Sequence, residues 1–216
     1  RALAAATGRW LMFLDDDDTL DAHHVERLVQ ALRQQPTLQV AHAGVRLVDA
    51  DGVDQGSLDE PVDAARLWAA NRLAIHAVLF DRSSVDAGLR FDESMDTYED
   101  WDFWFRLARQ QRFLHVPGVS ATYRMVGSSG TSEPHDAARS RRLREPFYRK
   151  WLPQLTVGEL EALAASAENA RSDLSTALWQ LHLARTRSDA HQARLDELGR
   201  ALDAERLRLA TQATVL

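Results

Sequence analysis

Trp10-Leu11-Met12-Phe13-Leu14-Asp15-Asp16-Asp17-Asp18 decides how the chain reads: five apolar residues run into four consecutive aspartates. Carboxylates about 4 Å apart repel by roughly 1 kcal/mol per pair in water and about 4 kcal/mol near a protein surface. Such a cluster either lies open to solvent or holds a cation. The apolar run predicts a strand, Trp10 to Leu14, buried on both faces, and in open α/β sheets ligands gather at the carboxyl ends of such strands. Hard oxygen donors select Mg²⁺ or Mn²⁺, and a phosphate-bearing substrate goes with either ion. The plainer alternative is an acidic turn before a helix that begins near Ala22, with Asp21 as its N-cap.

Composition bounds the class. With 216 residues, 45% hydrophobic and 27% charged, the chain is long enough for one sizeable core and an appendage. A formal net charge of −6 gives no basis for a nucleic-acid partner. The lack of cysteine excludes disulfides and thiolate metal sites and suits a reducing compartment. No apolar run approaches the roughly 18 residues of a membrane-spanning helix, and no signal peptide is visible. Lys150 is the only lysine. The chain opens with Arg1 rather than Met, so its natural start is expected upstream.

Outward from the acidic run, Arg1 to Thr7 reads as the tail of a helix that Gly8 ends as a C′ residue. Val25, Leu28, Val29 and Leu32 recur at helical spacing until Pro36, and Val40 to Val48 reads as a strand entering a turn at Asp51-Gly52. Asp54 to Asp63 reads as polar and structure-poor. Ala74 to Phe80 predicts a strand, Ser83 to Ala87 a helical turn, and Glu99 to Gln110 an aromatic-rich helix. Phe113 to Val116 and Val119 to Tyr123 predict short strands around Pro117-Gly118, followed by a Gly- and Ser-rich loop from Val126 to Ser132. Strands alternating with helices indicate an α/β domain.

A second acidic segment, Glu99-Asp100-Trp101-Asp102, opens the aromatic helix, where carboxylates are favoured by the helix dipole. Both acidic groups stand where a strand or loop meets a helix, a placement that would let them share one pocket. The eight histidines form no metal-ligand spacing and read as ordinary surface or core residues.

Together these segments resemble the family 2 glycosyltransferases of the GT-A fold. The pattern of Ala-rich helix, Gly, aromatic, apolar strand and Leu-Asp-x-Asp-Asp is matched from Ala4 to Asp18. The Glu-Asp-x-Asp segment leading a helix with an Arg is matched by Glu99, Asp100, Asp102 and Arg106, and the Tyr-Arg strand end by Tyr123-Arg124. The resemblance covers about residues 1 to 150. It implies a partial GT-A domain over residues 1–152, lacking the N-terminal nucleotide-binding strands, and sugar transfer from a nucleotide-diphospho-sugar donor to a carbohydrate or other hydroxyl acceptor with inversion at the anomeric carbon. Asp15 and Asp17 match the DXD motif and would hold Mg²⁺ or Mn²⁺ on the diphosphate. Asp15, Asp16 and Arg124 would contact the donor, and Asp100 matches the general base. Glu99, Asp102 and Trp101 would support that base or meet the acceptor. Family members often place a His near the Ser-Gly loop, where this chain offers none until His135. The family's commonest setting, surface polysaccharide or glycoconjugate synthesis, implies a cytoplasmic location, peripheral at most to the inner face of the membrane. A chain without the upstream strands is expected to bind donor poorly.

Two rivals compete. Asp15-x-Asp17-x-Thr19-Leu20 after an apolar strand also resembles the opening of the haloacid-dehalogenase-like phosphatases, with Asp15 as nucleophile. Against it, Asp18 replaces their usual Gly, and Lys150 follows Glu99 and Asp100 where that family needs its lysine earlier. An EF-hand fails because Leu20 stands where the loop requires Gly. The third reading is a non-catalytic assembly fragment. Over residues 153–216 a long helical arm is expected, with Leu160, Ala167, Leu174, Leu181, Leu195, Leu202 and Leu209 on one heptad position and Leu163, Ala170, Ala177, Ala184 and Leu198 on the second. Ser188, His191 and Glu205 interrupt the seam, and Gly199 costs about 1 kcal/mol relative to Ala. The arm therefore reads as an imperfect coiled coil fit for self-association.

Overall fold

The computed structural model describes residues 2–125 and 137–213, so the loop from Val126 to Ser132 and His135 lie outside the described residues. The side chains of several arm positions, among them Ala184, His191, Leu202, Glu205 and Leu209, lie outside them too. Helix α1 (Ala2–Ala5) leads to strand β1 (Trp10–Leu11). There follow β2 (Thr19–Leu20), α2 (His24–Gln34), β3 (Val40–Val48), β4 (Asp54–Leu58) and α3 (Ala64–Ala69). A 3-10 turn (Ile75–Ala77) enters β5 (Val78–Asp81), and then come α4 (Ser83–Asp86), α5 (Glu99–Gln110), β6 (Phe113–Arg124), α6 (Ala137–Trp151) and α7 (Val157–Ala213).

The six strands form one mixed sheet in the order β1-β5-β3-β6-β2, with β4 paired to the second half of β3. β3 and β6 are parallel along their whole length, while β5 lies antiparallel between β1 and β3. β1, β3 and β6 therefore point the same way, and their carboxyl ends share one edge of the sheet.

β3 explains the layering. Its first six residues, Val40 to Val45, are small or β-branched apart from His42 and are all buried, so both faces are covered. Ala41 and Ala43 pack under Leu28 and Leu32 of α2, whereas Val40 and Val45 belong to a larger core with the aromatics of α5 and α6. Trp101, Phe103, Trp104, Phe105 and Leu107 of α5 are all out of water, and Trp101 stacks on Phe147 with ring centroids 4.0 Å apart.

Several expectations are corrected. The strand expected over Trp10 to Leu14 pairs only through Trp10 and Leu11, against Asp81 and Phe80. Beyond that pairing Leu14 turns out to solvent, 54% exposed. Gly8 is absent from the glycines with positive φ, and α1 has already ended at Ala5. Asp21 does not cap α2; the N-cap is His23, without a side-chain cap bond. Asp54 to Leu58 is a strand, exposed along nearly its whole length, so its polarity marks an edge and not a lack of structure. The turn before it is tied by Asp49 Oδ1, which accepts from the backbone amides of Asp51 and Val53. The two strands expected around Pro117-Gly118 are one strand, β6, and its pairing with β3 slips beside Gly44. Gly118, at φ +106°, takes the backbone there into the region glycine favours.

The chain divides into two compact units, residues 1–163 and 164–216. In the second, the described residues form a single helix, the continuation of α7. Helix α7 starts from a capping box in the first unit. Glu159 accepts from the Thr156 amide at 2.8 Å, and the Glu159 amide donates to Thr156 Oγ1 at 3.2 Å. Arg109 of α5 grips Glu159 at 2.6 Å. Those amide, guanidinium and hydroxyl donors hold the Glu159 carboxyl at about 2 despite the opposing effect of burial.

Candidate active site

Each acidic segment is built differently. Asp15, Asp16 and Asp17 are exposed and follow the carboxyl end of β1, on the sheet edge where β6 ends at Arg124. Partial desolvation, then the negative charges of Asp18 and Asp17, raises the Asp15 carboxyl above the ordinary aspartate range. Asp18 points the other way, into the protein. Its Oδ1 accepts from the Arg124 backbone amide at 2.8 Å, and its Oδ2 lies 2.7 Å from His76 Nδ1, with both side chains withdrawn from water. His76 lies parallel to the Tyr123 ring at 6.1 Å. The fourth aspartate thus pins the acidic loop to the end of β6. Arg124 Nε reaches back toward the Asp17 carbonyl at 3.4 Å.

Asp100 sits in the first turn of α5. Its Oδ2 accepts from Asn71 Nδ2 at 2.9 Å and its Oδ1 from the Trp101 amide at 2.7 Å. Withdrawal from water outweighs these two donors, and with the added charge of Glu99 the carboxyl is pushed up to about 6. Glu99 is exposed beside it. Tyr98, just before the pair, holds φ +60°, the single non-glycine positive φ among the described residues. Strain of this kind, of order 1–3 kcal/mol, gathers where surrounding packing over-determines a functional turn. Tyr98 is buried with its ring edge-on to Trp101 at 5.4 Å.

The side chains of the other two residues expected around the base are placed elsewhere, and Trp101 supports Asp100 through its backbone amide alone. Trp101 is core, stacked on Phe147 and donating its indole N–H to the Leu67 carbonyl, so it cannot meet an acceptor. Asp102 is 0% exposed and engaged by Arg106 at 2.9 Å, Lys150 at 2.6 Å and the Trp151 indole N–H at 2.8 Å. One helical turn carries Asp100 toward Asn71 and Asp102 into this ionic cluster, since residues two apart on a helix do not face the same way.

Two partners were not singled out from sequence: Asn71, which holds Asp100, and His76, which holds Asp18. Both lie on the connection between α3 and β5, five residues apart, so their Cα atoms are at most about 18 Å apart. Nothing local marks either residue, because their contacts lie 29 and 58 positions away. Asn71 and Tyr123 also line a cleft of about 190 Å³ with Leu47, Leu58, Arg72 and Met125. The cleft touches the partner of Asp100 on one wall and the ring beside His76 on another.

Among the described residues, no group of three or more His, Cys, Asp or Glu is arranged to hold a metal ion. Asp15 and Asp17 offer hard oxygen donors without a protein cage. That set fits a Mg²⁺-like ion carried mainly by a substrate's phosphates and by water. No helix among the described residues is long and apolar enough to cross a membrane.

Comparison with known proteins follows the same residues. The family model "Glycosyl transferase family 2" matches residues 1–129. The "Uncharacterized glycosyltransferase YwdF" of Bacillus subtilis (strain 168) is 23% identical over 146 residues, 63% of this chain and 52% of that protein. The chain spans about half the length of this curated relative. Among solved structures, S. aureus TarS 1-349 aligns with a TM-score of 0.42 and 16% identity over 57% of this chain and 38% of that one. TarS 1-349 in complex with UDP aligns with a TM-score of 0.43 and 14% identity over 74% and 54%. The family match decides between the two enzyme classes that the segment from Asp15 to Leu20 left open. The mixed α/β sheet with an acidic loop at its carboxyl edge, followed by a long helical arm, is the architecture expected of a partial GT-A domain with such an arm. With 129 of its 216 residues matched, the chain belongs to glycosyl transferase family 2.

Proposed function

We propose that this domain transfers a sugar from a nucleotide-diphospho-sugar to an acceptor hydroxyl with inversion, Asp100 acting as general base. One observation carries the reading. Asp100 is desolvated to an acidity near neutrality and held by Asn71, whose residue lines the cleft, as a base working at neutral pH requires. In this reading Asp100 Oδ2 takes the acceptor's proton as its oxygen attacks the anomeric carbon and the glycosidic bond to the diphosphate breaks. Glu99 keeps the base's acidity low by its charge. Asp15, Asp16 and Arg124 orient the donor, and Asp15 and Asp17 would hold Mg²⁺ or Mn²⁺, whose chemistry when bound is Lewis-acid stabilisation of the departing diphosphate. Asp18 and His76 set the loop that carries these groups. The acceptor is a carbohydrate or other hydroxyl compound of surface polysaccharide or glycoconjugate synthesis, handled on the cytoplasmic side of the membrane. The helical arm is the element through which the chain associates with itself.

A nucleotide-release assay over a panel of nucleotide-diphospho-sugars with Mn²⁺ and simple glycoside acceptors tests this. Asp100→Asn should lower turnover by about 10²–10⁴-fold, and NMR of the product should show the opposite anomeric configuration to the donor. Turnover undiminished in the variant removes Asp100 from the role; a retained configuration removes inversion.

A further inference from the structure

The geometry of the arm points to a parallel, in-register pair with a second copy of this chain. This rests on the reading of the arm as self-associating and adds its orientation and register. α7 runs 57 residues, about 85 Å at 1.5 Å per residue. In its second unit, Leu174, Leu178, Leu181, Leu195 and Leu198 are 48–62% exposed. Helices in proteins draw most of their stability from burying such a face against a neighbour, and among the described residues the second unit has no other element to provide one.

A second copy presents the same seam by definition. Burying one leucine withdraws on the order of 60–120 Å² of apolar surface, so ten leucines from two copies account for on the order of 600–1,200 Å². Alanines and side-chain stems add to this, and the total reaches the size of a specific interface, about 1,000 Å². Register follows from Ser188, on the same heptad position as Leu174, Leu181 and Leu195: in register it faces its own copy, whereas a one-heptad slip sets it against leucine. No charge opposes the parallel orientation. There the flanking positions pair residue i with residue i+5 of the partner helix: Gln180 faces Arg185, Arg187 faces Gln192, and Arg194 faces Gly199. Between residues 164 and 200 no such pair joins two like charges.

Sedimentation equilibrium of the whole chain, with far-UV circular dichroism to verify folding, should return twice the chain mass at micromolar concentration. Leu174→Glu/Leu181→Glu should return the single-chain mass. The chain has no cysteine, so a disulfide-linked dimer of the mild variant Leu195→Cys reports residue 195 against its own copy. A wild-type monomer at tens of micromolar overturns self-association. A dimer that survives the double glutamate variant overturns the seam, and a dimer whose Leu195→Cys form does not cross-link on oxidation overturns the parallel register while leaving self-association standing. None of these readouts depends on transferase activity.

Discussion

Asn71 Nδ2 donates to Asp100 Oδ2 across 29 positions of sequence, and this bond opposes the burial that raises the carboxyl. Removing a donor to the charged form makes a carboxylic acid weaker still. Asn71→Leu should therefore move the midpoint of the rate's rise with pH above about 6, so that the loss of rate is larger at pH 6 than at pH 8. A pH profile of kcat/KM checks this; a purely structural role for Asn71 would lower the rate without moving the midpoint.

Asp100 and His42 pull stability in opposite directions with pH. Asp100 is raised from 3.8 to about 6. The folded chain therefore binds the extra proton between those values, and ionising Asp100 costs stability above them, on the order of 3 kcal/mol. His42 is buried and stacked on His115 at 5.0 Å; burial, then the His115 charge, lowers it from 6.5 to about 4. Its contribution is fully present above 6.5 and is lost as pH falls toward 4, again on the order of 3 kcal/mol. Asp100→Asn should raise Tm at pH 7.5 and steepen the loss on acidification, and His42→Phe should flatten that loss. Melting curves from pH 4 to 8 measure both.

Asp102 carries the heaviest structural burden in the α5 segment. Asp102→Ala takes the buried carboxylate from Arg106, from the Trp151 indole and from Lys150, which keeps Asp92 at 2.6 Å, and breaking a buried pair costs about 3–5 kcal/mol. Urea denaturation should show that loss. Glu99→Gln, on the exposed side of the same turn, should leave stability within about 0.5 kcal/mol.

Gly44 is the position at which a Cβ would meet the Asp59 side chain at 2.7 Å. Asp59 holds His115 at 2.8 Å and the Gly118 amide at 2.9 Å, at the bulge of β6. Gly44→Ala should expel Asp59 and cost about 1–3 kcal/mol, visible as a lower Tm and faster amide exchange at Gly118.

Elements defined by their own composition were legible in the sequence. Val40–Val48 and Glu99–Gln110 have the bounds their patterns predict, because a valine-bounded, mostly apolar segment before a turn and an aromatic helix opened by acids each encode their own ends. β4 was hidden, since an exposed edge strand has no apolar alternation to show. α3 was hidden as well, although Asp63, which caps it by accepting from the Arg66 amide, was a visible signal. The acidic residues of the site were legible as a pattern, but their supports were not. The pairing of His76 with Asp18 and of Asn71 with Asp100 exists only after distant segments meet, and four adjacent aspartates do not disclose which of them turns inward.

The connection that carries Asn71 and His76 works as a lever with two loads. Between the two contacts lie the buried Leu73 and the start of the 3-10 turn Ile75–Ala77. On the proposed mechanism, one short segment of backbone then holds both the loop beneath the leaving group and the residue that removes the proton.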